Sequence, residues 1–426
     1  MKRFLLICVL VAAICLPAMA LGETWVGFVE RVQEAMEDAE GTVVVSVAED
    51  VASARDTPLT VSADVQLVIE GRGGGFGGML IGGGDVTLRG EGLSARQIKM
   101  DVDSSAKTPF QVKLTIEEGV TIESLVCDGT SQTATELEIY NHGEIKPRLH
   151  ERPVSLRMEQ KKGDVSLTFH NYGSIESSGE DCGMVLGFPA PSGKVYYLNV
   201  RNEGSIKIAC ESDNAASINI WGYMYGNSSG ALQYSVTNSG LISVNGAVFV
   251  GAYAAKKVYE FSVENLEGGV IENTSKEGPA LSVDAANYMK TTEGAIQISN
   301  AGTLRAPGTI LNLSMETGNT APFAFSSLGT MERADEGAPV LETTISQWVD
   351  NAKKFMDEEK FGVVADAWIE ESGFHTLPAG TTMRLVLNAI NWKSYNQEAE
   401  KYDEEEIISD TVLLSKGEAP APAPAE

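Results

Sequence analysis

The chain is 426 residues long, 43% hydrophobic, and carries a formal net charge of −27. That apolar share is enough to build a buried core, which excludes a wholly disordered chain. The charge excludes a binder of nucleic acid or of anionic membrane surfaces, because phosphate recognition needs clustered Lys and Arg.

Lys2 and Arg3 precede an apolar run from Phe4 to Leu16; Pro17 ends it, and Ala18-Met19-Ala20 presents small residues where a signal peptidase reads them. Residues 1–20 are expected to be a secretory signal peptide, with an apolar run too short to span a bilayer. The mature protein is then secreted or held at the cell surface without a membrane span of its own. Processing leaves Cys127, Cys182 and Cys210, too few for a disulfide-rich scaffold. Next, Trp25, Phe28, Val29, Val32, Ala35, Met36 and Ala39 fall on one face at three- and four-residue spacing, and Gly41 stops the run. This predicts a capping helix within 23–40. Its carboxylates, Glu30, Glu34, Glu37, Asp38 and Glu40, argue against a helix lying on anionic lipid.

Internal repetition dominates the middle of the chain. Six segments share the pattern apolar, any, apolar, any, Asn: Leu137-Glu-Ile-Tyr-Asn141, Leu167-Thr-Phe-His-Asn171, Leu198-Asn-Val-Arg-Asn202, Tyr234-Ser-Val-Thr-Asn238, Phe261-Ser-Val-Glu-Asn265 and Ile296-Gln-Ile-Ser-Asn300. Glycine follows two places after the Asn at Gly143, Gly173, Gly204, Gly240 and Gly302, and later at Gly268; a short apolar strand then restarts at Ile145, Ile175, Ile206, Ile242, Val270 and Leu304. Period-two alternation gives a strand with one buried face. Asn and Gly are expected to turn the chain by tolerating left-handed backbone. Successive Asn residues lie 30, 31, 36, 27 and 35 positions apart, room for three short strands and their turns. The coil through Tyr197–Arg201, Ser205–Ala209 and Ala216–Trp221 displays all three. Asn at one corner of every coil predicts a ladder of side-chain amides, each donating to one neighbour and accepting from the other.

The Asn-X-Gly corner between short strands resembles the asparagine ladder of right-handed parallel β-helices, the pectin-lyase-like superfamily. Val65-Gln-Leu-Val-Ile-Glu-Gly71, a glycine run, and Val86-Thr-Leu-Arg-Gly90 are similar to the opening coils of such proteins, and the resemblance spans roughly Gly41 to Ser314. It implies an all-β fold, a right-handed parallel β-helix solenoid with an Asn ladder, an N-terminal capping helix and a small α+β C-terminal cap. The expected organisation is signal peptide 1–20, capping helix 23–40, β-helix 41–330, a cap or small module 331–416, and an Ala-Pro tail 417–426. Within 331–416, Ile345 to Glu358 is expected to be a helix, and Thr381–Asn388 and Ile407–Leu414 strands; Glu398 to Glu406 is an acidic, solvated stretch.

The fold hosts lyases, hydrolases, adhesins and passenger domains, so function rests on the site. The glycine run Gly71 to Gly84 lacks the Gly-Lys-Ser/Thr ending of a phosphate loop and is assigned to tight corners. Glu151, Asp181, Glu211 and Asp213 fall nine to eleven residues after their ladder Asn, at one turn of adjacent coils. Carboxylates so spaced bind Ca²⁺ or form a plain solvated acidic turn; both alternatives stand, and no cofactor is assigned. Cys182 and Cys210 share that turn, where they either pair or remain buried thiols. The resemblance implies that a lyase would need carboxylates on calcium and a basic residue at the third strand. Arg157 sits there without the flanking motif, Glu180-Asp181 is a lone acidic pair, and His142, His150, His170 and His375 have no metal spacing. In this superfamily sugars bind along the third strands, whose outward positions here include Ser155, Arg157, Asn219, Trp221, Phe249, Tyr253, Ser282 and Asp284, with Tyr223, Tyr225 and Tyr288 nearby. Exposed rings with a few polar groups suit carbohydrate; packing of those rings beneath their own loops is the other reading. The candidate binding residues are Arg157, Asn219, Trp221, Phe249, Tyr253 and Asp284. The expected protein is a monomeric adhesin-like surface β-helix that binds glycan or another surface partner. A polysaccharide lyase or glycoside hydrolase acting on acidic polysaccharide, and a structural spacer, are the alternatives.

Overall fold

The computed structural model describes residues 23–54, 56–148, 151–157, 159–180, 182–190, 195–211, 218–224, 231–253, 258–285, 293–316, 323–349, 352–357, 381–391, 395–396, 401–402 and 407–415. The signal peptide, the Ala-Pro tail, Asp181, Asp213, Tyr225 and Tyr288, most of the 398–406 stretch, and His150 and His375 lie outside them.

The chain is a parallel β-helix. Its first strands, among them Phe110–Ile116, Thr135–Asn141, Val165–Asn171, Val195–Asn202, Ala231–Asn238, Val258–Asn265, Glu293–Asn300 and Phe323–Ser327, pair in parallel, each with the strand one coil away. Strict alternation produces this stack. In Thr135–Asn141 every second side chain is buried, and Leu137, Leu167, Leu198, Tyr234, Phe261 and Ile296 fill one inner column. Second and third strands form a further parallel sheet. In early coils they run together without a break, as in Ser94–Asp101 and Thr121–Asp128. From Glu144 onward they separate, with Glu144–Ile145 and Val154–Arg157 pairing to different parts of the strand below.

The corner after each first strand holds the predicted ladder. Asn141, Asn171, Asn202, Asn238, Asn265 and Asn300 are in register and at most 2% exposed. Each Nδ2 donates to the next Oδ1, over 2.7 Å from Asn141 to Asn171 and 2.8 Å at each later rung; Asn300 ends the series on Ser327 Oγ at 3.1 Å. Below Asn141 the same column turns apolar, with Ile116 and Leu88, and Asn141 Oδ1 accepts no hydrogen bond.

Two expectations about this corner change. No ladder Asn adopts positive φ, and neither do Gly143, Gly173, Gly204, Gly240 or Gly302. The corner is built instead by the Asn carbonyl, which accepts two backbone N–H groups of the next coil: Asn171 O takes Glu203 N at 2.8 Å and Gly204 N at 3.1 Å. Asn is needed for its amide and Gly for its missing Cβ. Second, the stacked glycine of the Asn265 coil is Gly269, not Gly268: a Cβ on Gly302 would meet Gly269 O at 2.1 Å. Glu267 and Gly268 are an insertion that bulges from the corner, with Gly268 at φ 82° absorbing it.

The helix Trp25–Met36 covers the N-terminal end. Thr24 Oγ1 caps it by accepting from Gly27 N at 3.1 Å. Its buried face carries Trp25, Phe28, Val29, Val32 and Met36, with Phe28 edge-on to Phe76 at 5.1 Å. Trp25 Nε1 donates to Thr57 O at 2.9 Å. Toward the C-terminus the expected helix at 345–358 is corrected. Leu341–Val349 is a strand, parallel to Leu311–Glu316 and to Thr382–Asn391, and among the described residues of that stretch only Ala352–Asp357 is helical. Leu341, Thr343 and Ile345 are buried in alternation. Buried Thr343 hides the period of two, and the neighbouring strands' unpaired edges select the strand. Ile407–Ser415 then closes antiparallel on Thr382–Asn391. Among the described residues no helix is long and apolar enough to cross a membrane.

Cys182 and Cys210 form a disulfide, both buried, with Cα atoms 5.4 Å apart. Asn245 of the following coil holds the Cys210 backbone in both directions, accepting from its N at 2.7 Å and donating to its O. The bridge spans a sequence separation of 28. Reduction, or Cys182→Ala with Cys210→Ala, is expected to cost about 3 kcal/mol through the freed unfolded chain. A urea titration would show this as a lower midpoint, with a slope steepened by the more expanded unfolded chain; an unmoved midpoint would mean that the stacked coils alone hold the turn. Cys127 is free and buried. Burial pushes its thiol far above the usual cysteine range, Asp128 adds to this, and Lys99 opposes it. Because the thiolate is the reactive form, maleimide should label Cys127 only in denaturant, as read by mass spectrometry; rapid labelling of the native protein would contradict its burial.

Candidate functional site

The register of the third strands decides which candidate residues meet. Ser155, Val185, Asn219, Phe249, Ser282 and Asn312 form one outward column, and Arg157, Gly187, Trp221, Gly251, Asp284 and Ser314 form the next. Pro189, Tyr223 and Tyr253 begin a third. All six candidates are thus on one sheet face, although the side chains of Tyr223 and Tyr253 lie outside the described residues.

Two members of the middle column stand out. A Cβ on Gly187 would lie 2.9 Å from Trp221 Cδ1 and 3.0 Å from Cγ, so the indole rests against the Gly187 backbone, on the side of Arg157. Trp221 is partly buried. Arg157, one coil below Gly187, is exposed and has no ion-pair partner among the described residues. An unpaired guanidinium and a ring platform therefore flank a glycine floor. In the adjacent column, Asn219 and Asn312 each hold a buried Oδ1 that accepts no hydrogen bond.

The proposed carboxylate row is less cohesive. Glu151 Oε1 lies 3.8 Å from Arg96 Nη2, while Glu211 is exposed and bonds through its backbone N to Gly179 O at 2.8 Å. Among the described residues no three His, Cys, Asp or Glu side chains are grouped so as to hold a metal ion.

The outer face of the first-strand sheet carries features that attention to the third strands passed over. His142 and Tyr172 stack at 4.5 Å with planes 5° apart, and Tyr140 meets His170 edge-on at 5.4 Å. Burial depresses the His170 pKa below the usual histidine value and nearby Arg201 adds to this, while a hydrogen bond with Asn199 and the charges of Glu203 and Glu138 act against it. Further along the same face, Tyr197 is 44% exposed beside a depression lined by Asn199, Gln233, Ser235, Glu260, Ser262 and Gln297. These residues were visible in the repeat: they are the outward positions of the aligned segments, where Glu138 gives way to Thr168, Asn199, Ser235, Ser262 and Gln297.

No protein-family model, no curated protein and no solved structure matches this chain.

Proposed function

We propose that this protein is an exported surface β-helix of adhesin type, akin to the pectin-lyase-like solenoids, that binds glycan through the outward face of its third strands. The observation that carries the reading is the column in which Arg157, whose guanidinium has no ion-pair partner among the described residues, and the Trp221 indole follow one another across Gly187. A sugar ring would stack on the indole, and a carboxylate or hydroxyl of the same chain would take the guanidinium's forked donors. Asn219, two residues before Trp221 in the adjacent outward column, adds a carboxamide. An acidic glycan is the ligand this pairing favours.

The test is binding of defined oligosaccharides, uronate-containing ones included, to the mature protein and to Trp221→Ala and Arg157→Ala. Both positions lie on the outer face, so both variants should stay folded, with unchanged melting for exposed Arg157→Ala and a small drop for Trp221→Ala, whose indole packs on Gly187. Affinity should fall about tenfold or more, a loss near 1.4 kcal/mol. No binding of any acidic oligosaccharide by the wild type would end the proposal. Release of unsaturated or reducing-end products during the same incubation would replace a binding role with an enzymatic one.

A further inference from the structure

We infer that the protein has a second carbohydrate site, on the outer face of the first-strand sheet, and that it takes an uncharged saccharide. This face belongs to a different sheet from the one carrying Arg157 and Trp221, and its site neither uses nor needs those residues.

The site arises from side-chain size along two register columns. In one, Asn199, Ser235, Ser262 and Gln297 follow each other coil by coil; in the other run Tyr197, Gln233 and Glu260. The two serines are short where their neighbours are long, so they floor a depression of about 580 Å³. Asn199 and Gln297 close its ends along the axis, while Gln233 and Glu260, joined by a 3.3 Å hydrogen bond, wall one side. Glu264 borders the other. Tyr197, 44% exposed, presents its ring at the rim.

The chemistry of this lining selects the ligand. Three carboxamides and two hydroxyls both donate and accept, the carboxylates accept strongly from hydroxyls, and the tyrosine offers an apolar plate. That set complements a ring bearing vicinal hydroxyls. Among the described residues no lysine or arginine lines the depression; Arg201, two residues beyond Asn199 on the same strand, is engaged by Glu203 at 2.7 Å. Two carboxylates would therefore repel a uronate or sulfated sugar. Charge thus divides the two faces, and a neutral chain is the occupant that fits this one. Coils repeat about every 4.8 Å, close to the length of one pyranose unit, so a linear glycan lying along the axis would meet a comparable pair of side chains at each coil.

The experiment measures binding of cello-, manno- and chito-oligosaccharides and of oligogalacturonate to the mature wild type and to Tyr197→Ala, Ser235→Gln and Trp221→Ala. Ser235→Gln fills the depression from an outward position, and its melting temperature, read alongside, should match the wild type. Expected is saturable binding of at least one neutral series, weakened about tenfold or more by Tyr197→Ala and by Ser235→Gln but unaffected by Trp221→Ala. Three outcomes would overturn the inference: no neutral oligosaccharide binds, neutral binding survives Ser235→Gln, or neutral binding is lost only with Trp221→Ala. Sedimentation of the wild type and Ser235→Gln adds a fourth. Self-association abolished by that substitution would make the face a contact between copies of the chain. Failure of oligogalacturonate alone to bind bears on the Arg157 and Trp221 face and leaves this one standing.

Discussion

Gly204→Ala should destabilise the protein by about 4 kcal/mol, more than overpacking usually costs, and lower soluble yield with it. A methyl group there would lie 2.0 Å from Gly173 O and 2.7 Å from the Tyr172 carbonyl carbon. Both are backbone atoms, and both belong to residues whose N–H groups are fixed on Asn141 O, Tyr172 at 2.7 Å and Gly173 at 2.9 Å. No rotamer relieves the contact, so the coil must move off its neighbour and strain the ladder on either side. Gly268→Ala is the control: its Cβ would meet nothing within 4 Å, and only its φ of 82° opposes the change, a cost of about 1–2 kcal/mol. Denaturant midpoints for the two variants should separate clearly. Equal losses would show that the corner relaxes and that close approach is not what demands glycine.

Asn202→Leu is expected to cost a similar amount, about 4 kcal/mol, for a different reason. Asn202 Oδ1 accepts from Asn171 and its Nδ2 donates to Asn238, each over 2.8 Å, with Leu241 O a further acceptor at 3.2 Å. Leucine matches the volume but orphans an amide hydrogen on one side and an amide oxygen on the other. Each such buried loss amounts to about 1–3 kcal/mol. The same substitution at the end of the series, Asn300→Leu, disturbs one amide neighbour instead of two, since its upper partner is Ser327 Oγ. It should therefore cost about half as much. Melting curves of the two variants, read with the urea slope, test this ranking; a terminal loss as large as the central one would mean that the ladder responds as a single unit.

Much of this architecture was legible before any coordinates, because Asn and Gly recur at places where one chemical requirement recurs. What escaped did so for physical reasons. Ile345, Val349 and Ala352 satisfy a helical spacing, and only the parallel edges of 311–316 and 382–391, distant in sequence, make 341–349 a strand. Gly268 and Gly269 are indistinguishable in the pattern, and only the approach of Gly302 tells which is stacked. The corner's backbone is not legible in the sequence because Asn has two common uses, left-handed φ and a side-chain amide, and the residue pattern does not separate them. The candidate face was placed on one sheet by counting residues. The rest of the indole against Gly187, however, depends on a register across a variable loop. The shallow basin over Ser235 and Ser262 needed the same register, although its residues already stood in the aligned repeats.

The polarity of the amide series has an evolutionary corollary. Each rung from Asn141 to Asn300 presents an oxygen to the coil before it and a hydrogen to the coil after it. A recombination event that duplicates or deletes the segment between two such positions rejoins ends with the same valence. The unit in which this solenoid can be lengthened or shortened without breaking the series is then a whole turn, such as the 31 positions from Asn171 to Asn202. A partial turn would leave mismatched ends and unpaired amides, whereas an excursion like Glu267-Gly268 leaves the joint intact.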